Sequence, residues 1–270
     1  MDTALAEPTA FVTGGAQGIG LALARALASR GAKVAIVDID PDALERARVE
    51  LAPITEISTH VLDVRDRQMY AEVADKVEAD LGPVTLLVNN AGVAGGAHVT
   101  QMSYDTWDWM LGINLHGVVN GIQTFVPRMI ARQQGGYVVN TASGAGVVNA
   151  GTGYLYTTSK FAVVGLSEAL HLELEPFGIG VSVLCPGAVA TDIIQNSWHL
   201  GPASDAPVEP ALKEALEQSI AFLQQGTRPE VVAEQVLDAM SRGQLHVFTD
   251  ESLRPLLQER SEMLLAALPA

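Results

Sequence analysis

Tyr156 and Lys160 stand four residues apart in the segment 141–160, which reads TASGAGVVNAGTGYLYTTSK. Side chains at that spacing meet on one face of a helix. An ammonium beside a phenol favours the phenolate and predicts a tyrosine pKa lowered from about 10 toward working pH, as a general acid or base requires. Tyr154, six residues from Lys160, falls on another face. Ser143 ends an apolar strand, where parallel α/β sheets gather their ligands, and its hydroxyl is suited to hold a substrate oxygen. Its surroundings, Thr-Ala-Ser-Gly-Ala, lack the first glycine of a G-x-S-x-G elbow, which disfavours a serine hydrolase.

A second cluster opens the chain. FVTGGAQGIG, residues 11–20, follows an apolar run and leads into a helical pattern. Gly14, Gly18 and Gly20 leave room for a tight turn, for close approach of a pyrophosphate to the backbone, and for helix packing against the strand. The next strand, KVAIVDID, brings Asp38 to 18 residues beyond Gly20. An acidic side chain about 20 residues on meets the adenosine ribose and repels a 2′-phosphate. Gln17 and Ile39 place no cation where a phosphate clamp would stand, so the pattern points to NAD over NADP. Asp40 and Asp42 read as charges at a helix N-terminus.

These residues need a frame to hold them. Strand-length apolar runs at 10–13, 33–37, 58–62, 86–89, 136–140, 181–184 and 245–249 alternate with helical patterns at 18–30, 41–51, 67–80, 104–132, 154–175 and 228–240. Such alternation predicts an α/β fold, a single doubly wound Rossmann-type domain over 1–270 with a seven-stranded, mostly parallel sheet covered by helices on both faces. The segment 191–226 interrupts the rhythm with three prolines and a helix-like ALKEALEQSIAFL stretch, and reads as a substrate lid. A further helix is expected over 251–268.

Composition narrows the partners. Thirty-one acidic against 16 basic residues give a net charge of -15, which argues against nucleic acid and anionic membranes. The single cysteine, Cys185, excludes an internal disulfide and a cysteine-based metal cluster, fits a reducing compartment, and reads as an inert core thiol. The six histidines, at 60, 98, 116, 171, 199 and 246, show no paired ligand spacing, so no metal is expected. The N-terminus carries Asp2 and Glu7 without a basic, then apolar, signal pattern, and no long apolar span follows, so the expected location is cytoplasmic.

Taken in order, Thr13-Gly-x-x-x-Gly18-x-Gly20, Asp63-Val64, Asn89-Asn90-Ala91-Gly92, Asn114, Ser143, Tyr156-x-x-x-Lys160 and Pro186-Gly187 with Thr191 resemble the short-chain dehydrogenase/reductase family over about residues 8–250. The resemblance implies that Tyr156 exchanges the proton with the substrate oxygen and that Ser143 positions that oxygen. Lys160 would bind the nicotinamide ribose and lower the tyrosine pKa, and Asn114 would hold a water linking Lys160 to solvent. The cofactor set it implies is Gly14, Gln17, Gly18, Ile19, Gly20 and Asp38, with Asp63 and Val64 at the adenine. Asn90, Ala91 and Gly92 would stand beside the adenosine, and Pro186, Gly187, Val189 and Thr191 at the nicotinamide end. On the residues alone, Asn114 is equally a buried amide bonding a backbone carbonyl, and Asp63 a strand-end turn former.

The reaction implied is NAD-dependent interconversion of a hydrophobic secondary alcohol, an aromatic one by preference, and its ketone. Within the family, the phrases SYDTWDWMLGINLHGVVNG and IGVSVLCPG are similar to those of bacterial Cα-dehydrogenases, which oxidise the benzylic alcohol of lignin-derived β-aryl ethers. Hydroxysteroids and other bulky alcohols remain open. So does a non-catalytic NAD-binding regulator, although that reading predicts loss of Ser143, Tyr156 or Lys160, and all three are present. Family members pair the helices carrying Asn114 and Tyr156 between subunits, which implies a homodimer or homotetramer.

Overall fold

Seven strands and ten α-helices carry the chain in the computed structural model, which describes residues 8–95, 99–100, 102–149, 151–202 and 210–269, with the backbone alone at 210–212. His98, the ends of the expected 1–270 unit, and 203–209 of the expected lid lie outside the described residues.

The apolar runs become β1 (Thr9–Thr13), β2 (Lys33–Asp38), β3 (Ile57–Val61), β4 (Val84–Asn89), β5 (Gly136–Thr141), β6 (Ile179–Cys185) and β7 (His246–Phe248). They form one sheet in the order β3-β2-β1-β4-β5-β6-β7, every pair parallel. Val34, Ala35, Ile36 and Val37 of β2 are all fully buried. A parallel strand covered on both faces has no solvent side, so its sequence shows an apolar run and no alternation. The chain winds outward from β1 to β3, then crosses back to β4 and winds the other way. Ligands bind where this direction reverses, beyond the C-terminal ends of β1 and β4.

One face carries α1 (Gly18–Ala28), α2 (Pro41–Leu51) and α9 (Pro229–Ser241), packed through Leu23, Leu44 and Val236. The other carries α3 (Arg67–Leu81), α5 (Gly117–Arg132) and α6 (Tyr154–Leu174), packed through Tyr70, Phe125 and Val163. The helix starts are chemically marked. Asp40 accepts the N–H groups of Asp42 and Ala43, both at 3.0 Å, and Asp66 accepts that of Met69 at 2.9 Å.

Phe11, Tyr70 and Phe125 stack as a buried aromatic cluster, with centroid separations of 5.7, 4.8 and 6.4 Å. The Tyr70 hydroxyl inside it has no hydrogen-bond partner among the described residues, and burial pushes its pKa far up. Leaving such a group unbonded costs about 1–3 kcal/mol, and removing it while keeping the ring relieves that cost. Tyr70→Phe is therefore expected to keep or raise the melting temperature. A fall of several degrees would show that the hydroxyl is bonded.

Two expectations change. The single helix expected over 104–132 is instead α4 (Tyr104–Leu111) and α5, joined by a wider π turn, Gly112–His116. A Cβ on Gly117 would lie 2.7 Å from Val64 Cγ2, so the helix approaches the β3–α3 connection closely only because that position is glycine. The expected lid contains α7 (Ile193–Leu200) before its foreseen helix, α8 (Pro210–Gln224). The C-terminal helix is α10 (Arg254–Ala266). Among the described residues no helix is long and apolar enough to cross a membrane.

Candidate active site

The end of β5 and the first turns of α6 bring Ser143, Tyr156 and Lys160 together. After β5 the backbone stays extended at Ser143, whose Oγ accepts the N–H of Ala145 at 3.1 Å and starts a short 3-10 turn over Gly144–Gly146. Gly146 permits that turn to lie on α6, since a Cβ there would meet the carbonyl carbon of Lys160 at 2.9 Å. The Ser143 hydroxyl thereby faces the Tyr156 phenol closely enough to pull its pKa down.

Burial is the larger influence on that phenol and pushes its pKa above the ordinary tyrosine value. This corrects the expectation that the neighbouring ammonium lowers it. Lys160 Nζ lies 5.7 Å from the centre of the Tyr156 ring and donates to the Thr141 carbonyl at 3.1 Å. The cation therefore lies over the ring face. Lys160 is itself buried, which pulls its pKa down to about 8. Behind both, Cys185 is fully buried and its thiol is pushed up to about 12, matching the inert core thiol expected.

Asn114, in the π turn, is fully buried and its amide is spent on structure. Its Oδ1 accepts the Val93 N–H at 2.8 Å, while Nδ2 donates to the Val93 carbonyl at 3.0 Å and to Ser159 Oγ at 3.1 Å. No side-chain donor is left for a water, so of the two readings of Asn114 the backbone-bonding one describes its amide. It clamps the β4–α4 connection onto α6 one residue from Lys160. Gly92 sits in this junction, where a Cβ would come within 3.3 Å of Asn114 Oδ1 and 3.4 Å of Lys160 Nζ.

The glycine cradle lies across the crevice. Gly14 and Gly18 take φ values of +59° and +53°, a region that favours glycine. Gln17 caps α1 without using its side chain on the helix's free N–H groups, and Ile19 packs against the core beneath. Asn90 Nδ2 donates to the carbonyls of Thr13 at 3.1 Å and Gly14 at 3.2 Å. Thr13, not singled out as a site residue in the sequence, is the joint of the arrangement. Its Oγ1 accepts the N–H groups of Asn90 at 2.9 Å and Ala91 at 3.0 Å. A hydroxyl residue closing an apolar strand was the available signal.

Asp38, at the end of β2, accepts from Ala16 N–H at 3.2 Å and Ile39 N–H at 2.8 Å, so the carboxylate is tied to the cradle itself. Burial raises its pKa, and these backbone donors oppose the rise. The residues expected at the nicotinamide end are equally fastened. The Pro186 carbonyl accepts Gly144 N–H at 2.8 Å and Gly187 N–H donates to Thr249 Oγ1 at 2.9 Å. Val189 bridges to Thr227, and Thr191 Cγ2 would touch a Cβ on Gly18 at 3.1 Å.

Asp63 and Val64 lie just past the end of β3. Both Asp63 oxygens are taken by Arg65, whose Nε lies 3.0 Å from each and whose Nη2 lies 2.6 Å from Oδ2, and Val64 is packed in the core. Arg65 offered no signal beyond a common charged residue in a turn. Helix α7, within the segment expected as a lid, was also unforeseen. Its Ser197 Oγ accepts the Ala94 N–H at 2.8 Å, and Asn196 Nδ2 reaches Gln17 Oε1 at 3.3 Å, so α7 spans from the cradle to the β4–α4 connection. An apolar cluster of Val93, Met110 and Leu155, with Met102, Trp107 and Trp109 against it, flanks Tyr156. Tyr154 stands outside, its ring 5.7 Å from that of Trp107.

Comparison with known proteins places this geometry in company. A family model described as short chain dehydrogenase matches residues 8–200. The chain is 36% identical over 269 residues to the C alpha-dehydrogenase of Sphingobium sp. (strain NBRC 103272 / SYK-6), covering 96% of this chain and 86% of that protein. A Burkholderia phymatum short chain dehydrogenase/reductase, solved in complex with NAD, superposes with a TM-score of 0.90 at 30% identity, with 98% of each chain covered. A short-chain dehydrogenase from Novosphingobium aromaticivorans is 41% identical with a TM-score of 0.80, covering 98% of this chain and 89% of that one.

Proposed function

The chain belongs to the short-chain dehydrogenase family, and from that premise we propose that it uses NAD to interconvert an aromatic secondary alcohol, benzylic at the reacting carbon, and its ketone. The observation that carries this reading is the cluster of half-buried Ser143 and Tyr156 with buried Lys160 beside the glycine cradle. The cradle suits a dinucleotide. The start of α1 keeps its N–H groups free of side-chain caps, Gly14 and Gly18 hold positive φ, and Asp38 stands at the ribose end. Asn90, Ala91, Gly92, Pro186, Gly187, Val189 and Thr191 line the same crevice in this reading.

NAD, when bound, supplies the hydride acceptor and a positively charged nicotinamide ring. Ser143 holds the substrate oxygen by hydrogen bonding. The Tyr156 phenol oxygen exchanges the proton with that oxygen, and Lys160, held by the Thr141 carbonyl, anchors the ribose and stabilises negative charge on the phenol. Asn114 holds the junction that positions Lys160 and acts through structure. The half-buried Met102, Trp107 and Trp109, packed on the Val93, Met110 and Leu155 core beside Tyr156, favour a hydrophobic ring, in keeping with the C alpha-dehydrogenase relative. A homodimer or homotetramer paired through α5 and α6 belongs to the same reading.

The test is NADH formation by the purified chain with aryl-substituted benzylic alcohols and hydroxysteroids side by side. Turnover confined to hydroxysteroids would select that substrate class. Tight NAD binding with no turnover on either panel would make the chain a regulator. Cofactor choice has its own check. Asp38→Ala is expected to shrink the preference for NAD over NADP about tenfold, or about 1.4 kcal/mol. An unchanged ratio of dissociation constants would remove Asp38 from the ribose.

A further inference from the structure

Strands β6 and β7 pair in the register Val183↔His246, Leu184↔Val247 and Cys185↔Phe248. Val183 N–H donates to the Leu245 carbonyl at 2.7 Å. In a parallel ladder donor and acceptor advance together by two residues, so continued pairing would carry the Gly187 N–H to the Thr249 carbonyl. The chain departs from that pattern. The Thr249 carbonyl accepts Gln235 Nε2 from α9 at 3.1 Å, and the Gly187 N–H donates at 2.9 Å to the Thr249 hydroxyl. A side chain has replaced the backbone rung, just where β6 leaves the sheet at Pro186, which has no N–H to pair.

That hydroxyl is fixed in direction. Thr249 is only 6% exposed, which shuts out bulk water as a substitute partner. Its single proton goes to Asp250 Oδ2 at 3.2 Å, which leaves a lone pair for Gly187. Donating to a charged group makes the hydroxyl a stronger acceptor in turn. Asp250 supplies the charge. The Ser252 side chain and N–H, the latter at 2.8 Å, and the Thr249 hydroxyl hold its carboxyl below the usual carboxylate range, with burial opposing them. Position 187 must be glycine for the two turns to meet, since a Cβ there would come within 3.2 Å of Asp250 Cγ.

The same short segment supports the other side of the crevice. The Pro186 carbonyl accepts Gly144 N–H at 2.8 Å, and buried Leu253 backs Gly144, where a Cβ would come within 2.5 Å of Leu253 Cδ1. Ser143 and the Pro186–Gly187 turn thus share residues 249–253 as a base. Further along, backbone bonds take over: Ala190 N–H donates to the Thr227 carbonyl and Thr227 N–H to the Ala188 carbonyl, both at 2.9 Å. Without the Thr249 hydroxyl, the Gly187 N–H either stays unpaired or falls back to the Thr249 carbonyl, and either way the turn moves.

We propose that Thr249, oriented by Asp250, is a positioning residue for hydride transfer: its hydroxyl sets where the Pro186–Gly187 turn stands relative to Ser143, and through that turn how the nicotinamide ring faces the alcohol carbon. The proposal rests on the NAD-dependent alcohol reading above. Displacing a reacting pair by about 1 Å costs about 10²-fold in rate. The glycine cradle, across the crevice, does not touch Thr249, so the loss falls on the chemical step and spares cofactor affinity.

Thr249→Val keeps the branched shape and deletes the hydroxyl. With saturating NAD and whichever alcohol panel the wild type oxidises, stopped-flow of the first turnover is expected to show a rate constant for NADH formation lowered about 10- to 100-fold. Its amplitude per NAD-binding site should stay at the wild-type value, whereas a merely structural defect would lower the amplitude and keep the rate constant. The dissociation constant for NAD should stay within about threefold of wild type, and Thr249→Ser, which keeps the hydroxyl, should recover the wild-type rate constant to within about threefold. Should Thr249→Val fail to fold, Asp250→Asn, which weakens the orienting acceptor, is read the same way, with a severalfold loss in the rate constant. A wild-type rate constant in the folded variant, or a Thr249→Ser variant as slow as Thr249→Val, would overturn the proposal. No alcohol turnover by the wild type would overturn the reading beneath it, and the proposal with it.

Discussion

Tyr156→Phe is expected to lower kcat with an aryl alcohol and NAD by about 10²–10⁴-fold, the range in which a positioned general acid or base contributes. The dissociation constant for NAD should stay within about threefold of wild type. The substitution removes one oxygen and keeps the ring beneath Lys160, whose Nζ is held by the Thr141 carbonyl and not by the phenol. The fold should therefore tolerate it. With no charge on the phenol, hydride could leave the alcohol carbon only with its proton still in place, and the barrier would rise accordingly. If the variant kept near-normal turnover, the proton would be leaving through another group, and Ser143 would be the next residue to substitute. The pH profile adds a second reading. Burial pushes the Tyr156 phenol up, so in the alcohol-oxidising direction the wild-type rate should climb with pH as that phenol deprotonates, and the residual activity of the variant should lose the rise.

Spacing carried the spatial grouping of Tyr156 with Lys160, because a helix repeat converts four positions in sequence into one face in space. The same logic read the glycine cradle, where absent side chains are themselves the signal. It read Asp40 as a helix-starting charge, and the structure gives it two backbone N–H groups. It could not read the sign of the net pKa shift at Tyr156. Proximity to a cation is visible in sequence, but the burial that outweighs it depends on α4, α6 and the apolar wall closing around the phenol. Asn114 shows the same limit, since a buried amide announces that it will be bonded without saying to what. Its partners on Val93 are 21 residues away. The π turn that carries it has no local sequence rule, because it answers to the close approach of Gly112 to Arg65 and Gly117 to Val64, residues of the distant β3–α3 connection. Arg65 was invisible for a related reason. A turn of charged residues looks solvated until one of them closes on Asp63.

Gly20→Ala is the other change with a large expected effect, and it separates two roles that glycine plays in this chain. A Cβ on Gly20 would run into the Gly14 carbonyl oxygen and lie 2.5 Å from Asn90 Nδ2 and 2.8 Å from the Gly14 carbonyl carbon. None of these atoms is the free end of a flexible side chain. Gly14 is backbone held at positive φ, and Asn90 Nδ2 is already bonded to the Thr13 and Gly14 carbonyls. The methyl group must therefore push the cradle apart, and the N–H groups that would hold a pyrophosphate move with it. The dissociation constant for NAD should rise at least about 100-fold, close to 2.7 kcal/mol, with a lowered melting temperature. Gly165→Ala provides the contrast. Gly165 lies inside α6, its φ is not positive, and a Cβ there meets nothing within 4 Å. Alanine is favoured over glycine in a helix interior by about 0.5–1 kcal/mol, so that variant should melt higher and bind NAD as before. If Gly20→Ala bound NAD normally, the tight turn would be relaxing around the methyl group, and the cradle would owe its shape to Thr13 and Asn90 more than to its glycines.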